Sequence, residues 1–169
     1  MRKLIILKSL VDFVWIVTCI PMLLLMAFFT AYMFIDPYAL DIVFDKMTFS
    51  DIASNTIKQI FGLLYIVVVS LSIYCLFIFR KTLRYFQKVK PFHLDVIRNF
   101  YKIGYLLSGI GVFGSLLFFI ARLVSQGQFK INLGLSPFIL LVCLGLFFMI
   151  LSEVFKVAKQ AKEENELTV

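Results

Sequence analysis

The chain has 169 residues, of which 62% are hydrophobic and only 16% charged, and a mean hydropathy of +0.97. Soluble chains run at roughly 45–50% apolar and about 25% charged, and a chain this short has room for one aqueous core. A water-soluble domain is excluded, and lipid is the expected solvent for most of these side chains.

The first element in chain order is FVWIVTCIPMLLLMAFFTAYMFI, Phe13 to Ile35. It exceeds the about 20 apolar residues that a membrane helix needs. Arg2, Lys3 and Lys8 precede it like the basic start of a cleaved signal. The apolar run is too long for one, however, and no small-residue cleavage pattern follows, so a retained helix is predicted. Pro21 removes a backbone donor inside this span and predicts a kink. The outer connection, 36–59, is the longest, and Asp36, Asp41, Asp45 and Asp51 outnumber Lys46 and Lys58 there. It reads as a small lid resting on the interface, with Ser50 or Asp51 capping the next helix.

The second span is Ile60 to Phe79. The connection after it, 80–102, carries Arg80, Lys81, Arg84, Lys88, Lys90, Arg98 and Lys102 against the single acid Asp95. Such an excess of Lys and Arg marks the cytoplasmic side, and both termini are Lys-rich as well. The predicted fold is therefore all-α, an integral membrane four-helix bundle with both termini cytoplasmic (N-in/C-in). Within the basic connection, Phe92 and Ile97 have the spacing of a hydrophobic staple, His93 sits at the N-cap and Asp95 in the first turn.

The third span is Ile103 to Ala121. Its Gly104, Ser108, Gly111 and Ser115 are spaced four, three and four apart, with Gly114 alongside. Small residues on one stripe predict a close helix-packing face, within the chain or between protomers. Ser136-Pro137 reads as an N-cap and first helical residue, opening a fourth span at about 135–155. The tail, 156–169, begins beside Glu153, an acid near the membrane boundary. Lys156, three residues on, can neutralise it. Lys156, Lys159 and Lys162 form a basic stripe, and Glu163, Glu164 and Glu166 follow.

The chemistry legible here is sparse. Cys19, Cys75 and Cys143 each fall inside a span and read as small fillers, not as a disulfide framework or metal cluster. Catalytic and phosphate-binding motifs are missing, and His93 is the only histidine, so no enzyme, metal or cofactor is expected. The basic connection suits anionic lipid headgroups better than nucleic acid, which would need a soluble reading module. Asp12 and Glu153 lie near the membrane and could handle ions; they could equally pair with Lys8, Lys156, Arg98 or Lys102.

Two stretches, KPFHLDVIRNFYKIGYLL and SEVFKVAKQAKEENELTV, resemble a family of small four-helix bacterial membrane proteins of unknown function. The matching positions are Pro91, Phe92, Ile103 and Gly104, then Glu153, Phe155, Glu163, Glu164, Asn165, Leu167 and Thr168. His93 stands where the family has Ser or Thr, and Asp95 where it has Glu. The resemblance implies a bacterial inner-membrane location. It also implies a possible partner, because members are often encoded beside a small helix-turn-helix regulator. The leading expectation is a non-enzymatic regulatory module that sequesters such a regulator. Its candidate surface comprises Pro91, Phe92, His93 and Asp95 with Glu153, Lys156, Glu163, Glu164, Asn165, Leu167 and Thr168. The alternatives are a small transporter or membrane-immunity protein working through Asp12 and Glu153 as a homo-oligomer, and a structural subunit of a membrane complex.

Overall fold

The computed structural model describes residues 2–35, 55–87, 92–126 and 136–167. They form four helices: α1 (Arg2–Ile35), α2 (Asn55–Gln87), α3 (Leu94–Gln126) and α4 (Pro137–Leu167). No strand occurs among the described residues. Each helix holds a stretch long and apolar enough to cross a membrane. Their outer surfaces expose large apolar side chains such as Leu24, Phe28, Phe77, Leu116 and Phe147, which suits a solvent of lipid tails as apolar as leucine itself.

All four helices run beyond the predicted spans. The connection 80–102 is helical over 94–102, where the His93 cap implies a helix start, and is also helical over 80–87. RKTLRYFQ contains no Gly or Pro, and its Arg, Lys, Leu and Gln are good helix formers, so the helix does not stop where the apolar run does. The tail is likewise helical to Leu167. The expected acidic lid, the Ser50 or Asp51 cap, Lys88, Lys90, Pro91 and Thr168 lie outside the described residues. Lys58, counted with the outer connection, belongs to α2 and is buried at 4% exposure.

Of the three expected caps, the two within the described residues are formed. The Asp95 amide donates to His93 Nδ1 at 3.2 Å, and the Val96 amide to the His93 carbonyl at 2.9 Å. At α4, the Ile139 amide donates to Ser136 Oγ at 3.3 Å. These side chains satisfy donors that a helix start otherwise leaves orphaned.

The helices pack in series: α1 on α2, α2 on α3 and α3 on α4, and among the described residues α1 packs on neither α3 nor α4. The result is a three-helix core, α2 to α4, with α1 laid on its α2 edge. The tightest seam is α3 against α4. A Cβ at Gly104 would stand 2.6 Å from the Gly145 carbonyl oxygen, and one at Gly111 would stand 2.7 Å from the Phe138 carbonyl oxygen. From the opposite side, a Cβ at Gly145 would stand 2.7 Å from the Gly104 carbonyl oxygen and from the Ser108 amide. The small-residue stripe thus serves packing within the chain. Ser115 is exposed, and Gly114, against the Phe138 ring, takes its place.

The cysteines are all free; Cys19 and Cys75 are buried and Cys143 is exposed.

Candidate functional site

One end of the molecule gathers the start of α1, the end of α2, the start of α3 and the end of α4. On the α1 side, Asp12 accepts from Arg80 Nε, and the Arg80 guanidinium carbon lies 4.6 Å from the centre of the Trp15 ring. Arg80 is a partner of Asp12 outside the expected set of Lys8, Lys156, Arg98 and Lys102. The reason is the helical continuation of α2, which carries Arg80 alongside α1 instead of into a loop.

Both members of this pair are only partly exposed, so losing one removes an ion pair from a poorly solvated place. Arg80→Gln is expected to lower stability by about 1–2 kcal/mol, discounted for partial exposure. Asp12→Asn/Arg80→Gln should restore most of it. Thermal unfolding of the detergent-purified proteins checks this, and equal losses in the single and double variants would contradict it.

Between α2 and α3, Tyr85 OH donates to Asp95 Oδ2 at 2.8 Å, and the Tyr85 ring stacks on His93 at 5.2 Å between centres. His93 Nδ1 faces both the Asp95 amide and, at 3.3 Å, Asp95 Oδ2, so the imidazole sits over the first turn of α3 as a cap. The candidate residues His93 and Asp95 thus stand together, with Tyr85 as a third member that the sequence does not single out.

Deeper lies a run of phenylalanines. Phe100 meets Phe148, Phe155 and Phe86 at 5.8, 5.5 and 6.0 Å between ring centres, and Phe155 also meets Phe86 at 5.8 Å and Phe92 at 5.9 Å. Phe79 closes onto Phe148 at 6.0 Å. Offset and edge-on pairs at these separations add attraction beyond their contact area. Beside them the buried Ser152 hydroxyl donates to the Ile97 carbonyl at 2.8 Å, tying α4 to α3. Phe92, expected to staple onto Ile97, thus stands against α4 and joins the start of α3 to the root of the tail.

Beyond Phe155 the tail continues as helix. Lys156 reaches Glu153 at 2.9 Å, Lys159 reaches Glu163 at 3.3 Å and Lys162 reaches Glu166 at 3.5 Å. The neutralisation of Glu153 by Lys156 is as expected, and the glutamate is 66% exposed. Asp12 and Glu153 sit on helices that do not pack on each other. One face of the tail and the Phe92 ring together line an open groove of about 730 Å³ formed by Phe92, Ala158, Ala161, Lys162, Asn165 and Glu166. Ala158, Ala161 and Asn165 repeat at helical spacing, so small side chains floor it. Among the described residues no three His, Cys, Asp or Glu side chains are grouped to hold a metal ion.

A family model for proteins of unknown function, DUF2975, matches residues 60–169. The chain belongs to the DUF2975 family. The matched segment takes in most of α2 and all of α3 and α4. It therefore coincides with the interlocked three-helix core, the phenylalanine cluster and the groove, and leaves out the peripheral α1. No curated protein and no solved structure matches the chain.

Proposed function

We propose that this DUF2975 protein is a multi-pass protein of the bacterial cytoplasmic membrane whose basic end faces the cytoplasm and docks a soluble partner in the groove between Phe92 and the tail helix. The excess of Lys and Arg at that end supports the orientation. The observation that carries the docking is the overhang of α4. Its 31 residues span about 46 Å at 1.5 Å per residue, against about 30 Å of hydrocarbon. The last three turns therefore stand clear of lipid. A stop signal would need only lysines, yet this segment stays helical, cancels its own charges along the helix, and keeps a small-residue face beside an aromatic ring. Helical partners dock on such faces through side chains at i, i+3, i+4 and i+7 spacing.

The partner that the family resemblance favours is a small helix-turn-helix regulator, held at the membrane and away from its DNA. No catalysis is assigned to the site. Ion handling draws less support, because Asp12 and Glu153 each have a cationic partner and the small-residue stripe that an oligomer would need is occupied by α4. A purely structural subunit is separated from the docking reading by experiment. With a tagged regulator encoded beside the gene, wild-type membranes should retain it in the pellet. Ala158→Trp/Ala161→Trp, which fills the groove, should release it while the melting temperature stays unchanged. A regulator that is soluble in the presence of wild-type protein would rule the reading out.

A further inference from the structure

We infer that the rim formed by Lys81 and Arg84 on α2 and by Arg98 and Lys102 on α3 binds anionic phospholipid headgroups, and that the lysine-rich tail does not. All four side chains are exposed, and among the described residues none of the four has an acidic partner. Arg80, their neighbour, is engaged with Asp12 and the Trp15 ring. The four lie at one level, because the Phe86–Phe100 contact and the Tyr85–Asp95 hydrogen bond hold this part of α2 against this part of α3. That level is the edge of the apolar stretches: Lys81 comes two residues after Phe79, and Lys102 immediately before Ile103.

The tail presents the opposite case. Lys156, Lys159 and Lys162 are each matched by a glutamate on the same helix. With Glu164 counted, four acids outnumber three lysines from Glu153 to Glu166. The stripe of lysines predicted from sequence is real as a pattern but carries no net positive charge. On the rim, by contrast, Lys81 and Arg84 are three apart and Arg98 and Lys102 four apart, so like charges stand side by side and repel. A phosphodiester placed between them relieves that repulsion, and at this depth the phosphodiesters are those of the lipid. This assignment concerns the rim alone and is independent of the groove: loss of the regulator leaves it standing, and loss of lipid preference leaves docking standing.

The test is native mass spectrometry of the full chain in neutral detergent, with phosphatidylglycerol or phosphatidylcholine added. The wild type should retain phosphatidylglycerol preferentially, and free glycerol phosphate should not compete. Each rim charge contributes roughly five-fold to such binding, so Arg84→Gln/Arg98→Gln should cut the preference by about ten-fold or more. Lys156→Gln/Lys159→Gln/Lys162→Gln should leave it intact. If the rim variant loses helicity, the wild type alone decides: its preference should collapse in high salt. Equal retention of both lipids, an equal loss in the tail variant, or a salt-insensitive preference would overturn the inference.

Discussion

Gly145→Leu should separate α3 from α4 and produce the largest loss of stability of any single substitution in the chain. Even the first carbon of a new side chain would stand 2.7 Å from both the Gly104 carbonyl oxygen and the Ser108 amide, and would collide with the Ser108 hydroxyl. Two of these three neighbours are backbone, which cannot swing aside, so the helices themselves must part. Parting forfeits the facing contacts at Gly104 and Gly111, since the seam is continuous along α3. In lipid there is no hydrophobic force to push the helices back together; close packing is the main attraction. Gly145→Ala is expected to cost about 1–3 kcal/mol by overpacking, and Gly145→Leu more. Gly109, where a Cβ meets nothing within 4 Å, is the control, and Gly109→Ala should be neutral or slightly stabilising because alanine is the better helix former. Thermal unfolding in detergent reads all three, and a Gly145→Ala protein as stable as Gly109→Ala would show that the seam is looser than these separations require.

Phe155→Ala should be the second most damaging change. Its ring is the hub that joins α2 through Phe86, α3 through Phe100 and the segment before α3 through Phe92. Removing a packed phenylalanine from a core costs about 3–5 kcal/mol, and the lower part of that range is expected at an end of the molecule where neighbours can relax. The more telling result is local. Phe92 loses its support, so the groove loses one wall while the α3–α4 seam at Gly145 stays closed. Limited proteolysis should therefore show faster cleavage near Phe92, with the rest of α3 protected. Phe155→Leu, which keeps much of the volume, should recover most of the protection. If Phe155→Ala exposes the whole chain evenly, the phenylalanine cluster is not a local lock.

How much of this was legible in the sequence depends on what solvent does to pattern. Four apolar runs gave four helices, and short-range chemistry was readable: the His93 and Ser136 caps and the Glu153–Lys156 pair all involve residues within three positions of each other. The phenylalanine cluster was not readable. In water an outward phenylalanine stands out against polar neighbours, but in lipid both faces of a helix are apolar and the 3.6-residue contrast vanishes. Phe147 is exposed and its neighbour Phe148 packs inside, yet nothing in LGLFFMIL tells them apart. The stripe on α3 was visible because four small residues repeat there, whereas Gly145 is a lone glycine whose role appears only when α3 is laid against it. Arg80 was hidden for a different reason. Asp12, to which it bonds, is 68 residues away, and the charge run around it reads as a connection because polarity there marks the edge of the apolar run, not the end of the helix.

The groove is the point on which the functional reading stands, and a photocrosslinking amino acid placed at Ala161 in native membranes tests it most directly. Ala161 lines the groove, while Gln160 is exposed one residue away, turned by about 100° around the same helix. Docking predicts a covalent adduct with the tagged helix-turn-helix regulator from position 161 and little or none from position 160. No adduct from Ala161, or equal adducts from both positions, would contradict it.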